Sequence, residues 1–214
     1  MDGIVIEDSP IVDRFSAAWA RELSPTPIKL VKAEHLIECP RKIVTRVLYP
    51  QKIKVERRDA VRYAMDCSLR CRWMSYLEHN FSFQVIARDL RVEDGDLWLQ
   101  TIIEAKLKVD SKTVVVIFRH VSTNDMYRAK NMGPKKRDVV TVAASAHMSE
   151  VHDGIIVYGH GEDCCFYHIG LTDNLLNPIR QKCRVLSKYL LTSQLPPKCS
   201  SGCSFCNSLP TAAA

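Results

Sequence analysis

Three cysteines within eight residues, Cys199, Cys203 and Cys206, constrain this chain more than any other feature. They sit among Ser, Gly and Pro, with no apolar segment to be buried in, so they are not the small buried hydrophobes that most free cysteines are. The spacing Cys199-x-x-x-Cys203-x-x-Cys206, with Gly202 allowing a tight fold, brings three thiolates to one centre from a single loop. A fourth ligand must then come from elsewhere. Cys39 is best placed, because it stands before Pro40 at a helix start, where backbone N–H groups and the local dipole favour a thiolate. The four residues are expected to hold one metal–sulfur centre that ties the C-terminal tail to the N-terminal region. An iron–sulfur cluster is the reading adopted; zinc has the same ligand preferences and is the alternative. A radical-SAM triplet shares the spacing but belongs near the front of an α/β barrel. A disulfide-bonded tail needs an oxidising compartment, for which the sequence carries no signal. Cys67, Cys71, Cys164, Cys165 and Cys183 read as ordinary buried thiols.

The 214 residues suit one domain, or one domain with a small helical appendage, and can bury a sizeable core. No apolar run approaches the ~20 residues of a membrane span. The N-terminal MDGIVIEDSP is acidic and lacks the basic and apolar regions of a signal peptide, which predicts a cytoplasmic protein without membrane contact. The formal net charge is +6, a modest excess that suits an anionic partner.

Ser9-Pro10 predicts a helix start, followed by Ile11, Phe15, Trp19 and Leu23 at helical spacing. Leu30 to Leu48 reads as short helices around Glu38-Cys39-Pro40-Arg41-Lys42. A long helix is predicted from about Arg58 to Glu78, with Val61, Met65, Leu69, Trp73 and Leu77 as its buried stripe. Phe81, Phe83 and Val85 begin a β region, Glu93 to Asp96 is a turn, and strands follow at Leu97–Val109 and Thr113–Val121. His120 to Arg137 reads as a polar loop. Residues 138–151 read as a helix with strand as competitor, Ile155–Tyr158 and Cys165–Ile169 as a hairpin, and Asn177-Pro178 as the start of a last helix.

The Cys-Pro-Arg-Lys segment, the helix, the small mixed sheet and the three terminal cysteines together resemble the CRISPR-associated RecB-like exonucleases. These are iron–sulfur members of the restriction-endonuclease-like nuclease superfamily, and the resemblance covers roughly residues 28 to 206. It implies an α/β fold with a restriction-endonuclease-like core, a small mixed sheet flanked by helices. An N-terminal helical part and a cysteine tail closed by the cluster complete it. The corresponding divisions are 1–80, 81–170 and 171–214, forming one compact unit.

The resemblance also implies metal-dependent DNA cleavage, with Mg or Mn held by an Asp and a Glu and a Lys two residues after the Glu. The family places a His in the preceding helix and a Gln-x-x-x-Tyr pair in the following one. Two alignments of these motifs are available. In the preferred one Glu104 replaces the Asp, Ile117 stands at the Glu position, Arg119 at the Lys position, and Thr141 and Ser145 at the Gln and Tyr positions. The predicted long helix carries no matching His. Ile117 cannot ligate a metal and Arg119 does not substitute simply for Lys, so the site should bind phosphate better than it cleaves it. In the other alignment Asp89, Glu104 and Lys106 form an intact catalytic set. The plain reading of Glu104 is a solvated strand residue, and the scattered histidines have no ligand spacing.

Arg119, Lys130, Lys135, Lys136, Arg137, Arg41 and Lys42 are the residues from which sequence-independent contacts to DNA phosphates are expected. Two functions follow. One is a DNA-binding protein with decayed catalysis, acting in spacer acquisition with an integrase, or coating DNA with other copies of itself as the nucleoprotein of a virion. The other is a working exonuclease.

Overall fold

The segment Lys112–His120, KTVVVIFRH, has too continuous an apolar run for a strand with one wet face. In the computed structural model, which describes residues 30–50, 57–80, 83–200 and 202–208, it is accordingly a central strand, with Val114 to Phe118 all buried. The sheet around it has six strands: β1 (Val31–Lys32), β2 (Gln84–Asp94), β3 (Leu99–Val109), β4 (Lys112–His120), β5 (Asp153–His160) and β6 (Asp163–Gly170). β2 runs antiparallel along nearly the whole of β3. The other edge of β3 is therefore shared: β1 pairs parallel with Leu99 and Gln100, and β4 pairs antiparallel with Ala105 to Val109. β4 then pairs parallel with β5, and β5 with β6 in a hairpin, giving a mixed sheet.

Between β4 and β5 the chain makes two helices, α3 (Thr123–Met132) and α4 (Lys136–Met148), which supply the long crossover that parallel strands require. The helices α1 (Pro40–Leu48), α2 (Arg57–Asn80), α5 (Asp173–Leu191) and the short α6 (Ser204–Ser208) complete the described fold. One core gathers Ile43 and Val44 of α1 with Ile179, Leu186 and Leu190 of α5. A second joins α4 to Ile103, Ile117 and Ile156, and a third seats Leu69 and Met74 of α2 on Leu107, Val116 and Phe118. No helix among the described residues is long and apolar enough to cross a membrane.

Four expectations are corrected. The segment read as a loop after His120 contains α3, whose start is fixed by the Ser122 side chain accepting from the Asp125 N–H and whose end is Gly133 at φ 84°. In α2, Val61 and Met65 are exposed, because the helix meets the sheet only from about Leu69 onward. α5 begins at Asp173, so Pro178 lies inside it and not at its first position. β2 continues to Asp94, leaving a shorter turn than predicted. The helix expected around residues 9–23 lies outside the described residues.

Close approach of α4 to β5 depends on Gly154, where an added Cβ would fall 2.6 Å from a methyl of Val142. Gly154→Ala should therefore lower stability by roughly 1–3 kcal/mol in denaturant unfolding, with part of the loss recovered in Gly154→Ala/Val142→Ala.

Candidate functional site

Where β4 parts from β3, beyond the pair Ala105–Val116, its backbone needs a new hydrogen-bond partner. Glu104 supplies it: one carboxylate oxygen accepts from the Phe118 N–H at 2.8 Å, and the other accepts from the Arg119 guanidinium at 2.5 Å. Arg119 also donates to Asp138 of α4 at 3.3 Å. Asp138 accepts from the Tyr158 hydroxyl at 2.6 Å, and that hydroxyl accepts from the Lys135 N–H at 2.9 Å. On α2, Asp66 accepts from the His120 N–H at 2.5 Å and lies within the field of the same guanidinium. Four elements of the core thus meet at one internal cation.

The electrostatics follow from burial. Desolvation works against the charge of Arg119, but Glu104, Asp138 and Asp66 outweigh it and hold the guanidinium above its ordinary pKa. Three carboxylates around one cation leave an excess of negative charge. For Asp66, burial raises the pKa to about 6, with Glu104 and Asp138 adding to the shift and Arg119 and the His120 N–H opposing it. Burial and the neighbouring Asp138 also push the Tyr158 hydroxyl well above its usual range, so it remains a donor.

Arg119 is therefore a half-buried residue whose guanidinium is paired with Glu104 and Asp138. Ile117 is fully buried in the core. Thr141 bonds the Arg137 carbonyl in its own helix, and Ser145 bonds Thr101 of β3. Asp89 and Lys106 do not join Glu104: Asp89 is paired with Arg70 at 2.7 Å, and Lys106 donates to the Ser149 carbonyl at 3.1 Å. Among the described residues, the group of potential metal ligands that converges within 4.8 Å is a cysteine set and contains no carboxylate. Sequence reasoning missed Asp66, Asp138 and Tyr158. The signal for Asp66 was an acid on the packed face of α2, one turn before Leu69.

That cysteine set is Cys39, Cys199, Cys203 and Cys206, all four sulfurs lying within 4.8 Å of one another. Cys39 caps α1, ahead of Pro40. The tail turns back through Gly202 at φ 58°, with its N–H bonded to the Cys199 carbonyl and its carbonyl accepting from the Asn207 side chain. The Cys203 N–H points at the Cys199 sulfur at 3.4 Å, and Cys206 is buried. Arg41 donates to the Pro196 carbonyl and Lys182 to the Glu38 carbonyl, so both flanks of the centre are pinned. Burial favours protonation of Glu38, but His35, Arg46 and Lys42 prevail and lower its pKa to about 2. Four convergent thiols are a donor set that fits a thiophilic metal.

Of the remaining basic residues, Arg41 and Lys42 are committed to the segment carrying Cys39. Lys130, Lys135 and Arg137 rim the sheet end above Tyr158 and pair with Asp163, Asp125 and Glu34. Lys130 therefore stands on a helix end and not in a loop. These pairs are about half exposed, and such surface pairs contribute little to stability. Lys136 joins them at the start of α4.

By sequence, the chain matches no protein family and no curated protein. By structure it is similar to an alkaline exonuclease from Laribacter hongkongensis, at 10% identity over 81% of this chain and 93% of that one, with a TM-score of 0.63. It is also similar to the protein SSO0001, at 16% identity over 92% and 93% of the two chains, with a TM-score of 0.56. A phage-related exonuclease from Haemophilus somnus 129PT matches at 10% identity over 77% and 95%, with a TM-score of 0.53. These likenesses give the fold: the restriction-endonuclease-like α/β core expected from the sequence, with a cysteine cluster at its C-terminal end.

Two outcomes test the network. Arg119→Ala leaves buried carboxylates without their cation and should cost about 3–5 kcal/mol in unfolding free energy. Asp66 binds its proton more tightly folded than unfolded, where 3.8 is its usual value, so its contribution is complete below that value and is lost as the pH rises through about 6. Denaturant midpoints should fall across this window in the wild type, and Asp66→Asn should flatten the fall.

Proposed function

We propose that this chain is a nuclease-fold DNA-binding protein in which the catalytic centre has become an internal salt-bridge network. The observation that carries the reading is Arg119, half-buried and paired with Glu104 and Asp138 at the position where the resembled family carries its catalytic lysine. A divalent ion needs carboxylate oxygens free to converge on it. Here Glu104 is spent on Arg119 and the Phe118 N–H, and Asp138 on Arg119 and Tyr158. The exonuclease reading built on Asp89, Glu104 and Lys106 requires two carboxylates around one ion with the lysine beside them, and each of the three has a separate partner on a different element.

DNA remains the best-supported ligand class. The fold is shared with exonucleases, and the Laribacter enzyme has been crystallised in complex with dAMP. Lys130, Lys135, Lys136 and Arg137 present positive charge along one sheet end, and their exposed carboxylate partners can be exchanged for phosphates at little cost. Contacts of this kind hold the backbone without reading sequence. In the context the family resemblance suggests, such a grip serves spacer acquisition beside an integrase. A virus-borne nucleoprotein would use the same grip repeatedly, with many copies along one duplex.

Duplex binding should show no sequence preference and weaken steeply with salt. Replacing Lys135, Lys136 and Arg137 by alanine should lower affinity and reduce the log–log salt slope by roughly 2–3. With manganese or magnesium the wild type should release no nucleotides from linear DNA. Cleavage that disappears in Glu104→Ala would overturn the reading.

A further inference from the structure

We propose that the four-cysteine centre holds a single tetrahedral zinc ion and not the multi-iron cluster that the family resemblance implies. The inference deepens the metal assignment and is independent of DNA binding. It rests on the spacing of the sulfurs. Four thiolates sharing one ion at ~2.3 Å lie roughly 3.8 Å apart along every edge of the tetrahedron. The sulfurs of Cys39 and Cys206 are 3.6 Å apart, and all four lie within 4.8 Å of one another. In a four-iron cluster each thiolate ends on a different iron, so every sulfur pair is spread by an iron–iron edge as well as by two outward bonds. A two-iron cluster spreads two pairs of thiolates in the same way. The observed sulfur separations match those around one ion and are shorter than a bridged cluster sets between its thiolates.

The surroundings agree with a closed structural site. All four ligands come from protein, leaving no position for water or substrate, as in structural zinc sites and unlike catalytic ones. The loop geometry brings the thiols together at short range: Gly202 at φ 58° turns the chain between Cys199 and Cys203, and the Cys203 N–H meets the Cys199 sulfur at 3.4 Å. This N–H···S contact stabilises the negative charge of a metal-bound thiolate. Lys182 adds a cation nearby, held by the Glu38 carbonyl and acting electrostatically on Cys39. Zinc has no redox chemistry, which suits a centre whose geometric task is to hold the start of α1 against the tail.

The test is elemental analysis of the full chain purified anaerobically, together with reconstitution of the metal-stripped protein. One zinc per chain, no acid-labile sulfide and no brown colour are expected. Cobalt substitution should give the ligand-field bands of a tetrahedral tetrathiolate site. Metal-stripped protein given ferrous iron and sulfide without oxygen should assemble no cluster. Cys203→Ser should lose zinc and melt at lower temperature, whereas Cys71→Ser, on the exposed face of α2, should retain the full stoichiometry. If Cys203→Ser fails to fold, the cobalt spectrum and reconstitution of the wild type decide alone. Assembly of a cluster, or a single iron in place of zinc, would overturn the zinc assignment while leaving a metal clamp. A metal-free wild type of unchanged stability would overturn the clamp itself.

Discussion

A guanidinium largely withdrawn from water must find its counter-charge inside the protein, and Arg119, with its side chain 17% exposed, is such a group. Its partners come from β3, α4 and α2, three elements far apart in sequence, and each is fixed in position by the hydrogen bond it makes. Tyr158 and the Lys135 N–H extend the network into β5 and the loop before α4. Charge–charge hydrogen bonds are directional, so they add orientation to what packing already fixes between α4 and the sheet.

The proposed function turns on the same interaction. A nuclease of this architecture needs acidic groups that are unpaired until a divalent ion arrives. An arginine at the centre supplies a permanent cation, so the acids are satisfied without metal. Positive charge for a ligand is left to the rim, where Lys130, Lys135 and Arg137 hold only exposed, exchangeable partners.

The cysteine centre does a separate job. It joins the start of α1 to the tail beyond α5, two elements that already share a core through Ile43, Val44, Ile179 and Leu186. A metal there closes a loop from residue 39 to residue 206 in the unfolded chain as well as the folded one, and such closure raises stability most when the loop is long.

Some of this was legible in the residues and some was not. The tail cysteines could be read because ligand spacing is local and Gly202 makes the turn; even Cys39 could be picked out, since Pro40 marks a helix start. The apolar run of β4 announced a central strand. The helix after His120 also had a local signature, Ser122 with Asp125 three residues on and a closing Gly133, but its weak apolar periodicity hid it. No sequence pattern joins Asp66, Glu104, Arg119, Asp138 and Tyr158, which come from five separate elements. Sequence by itself determined which four cysteines converge and most of the order of the elements, because both depend on short-range geometry. Only the tertiary structure decided that Arg119 is paired with Glu104 and Asp138, because burial and charge neutralisation are set by residues that the chain brings together from afar.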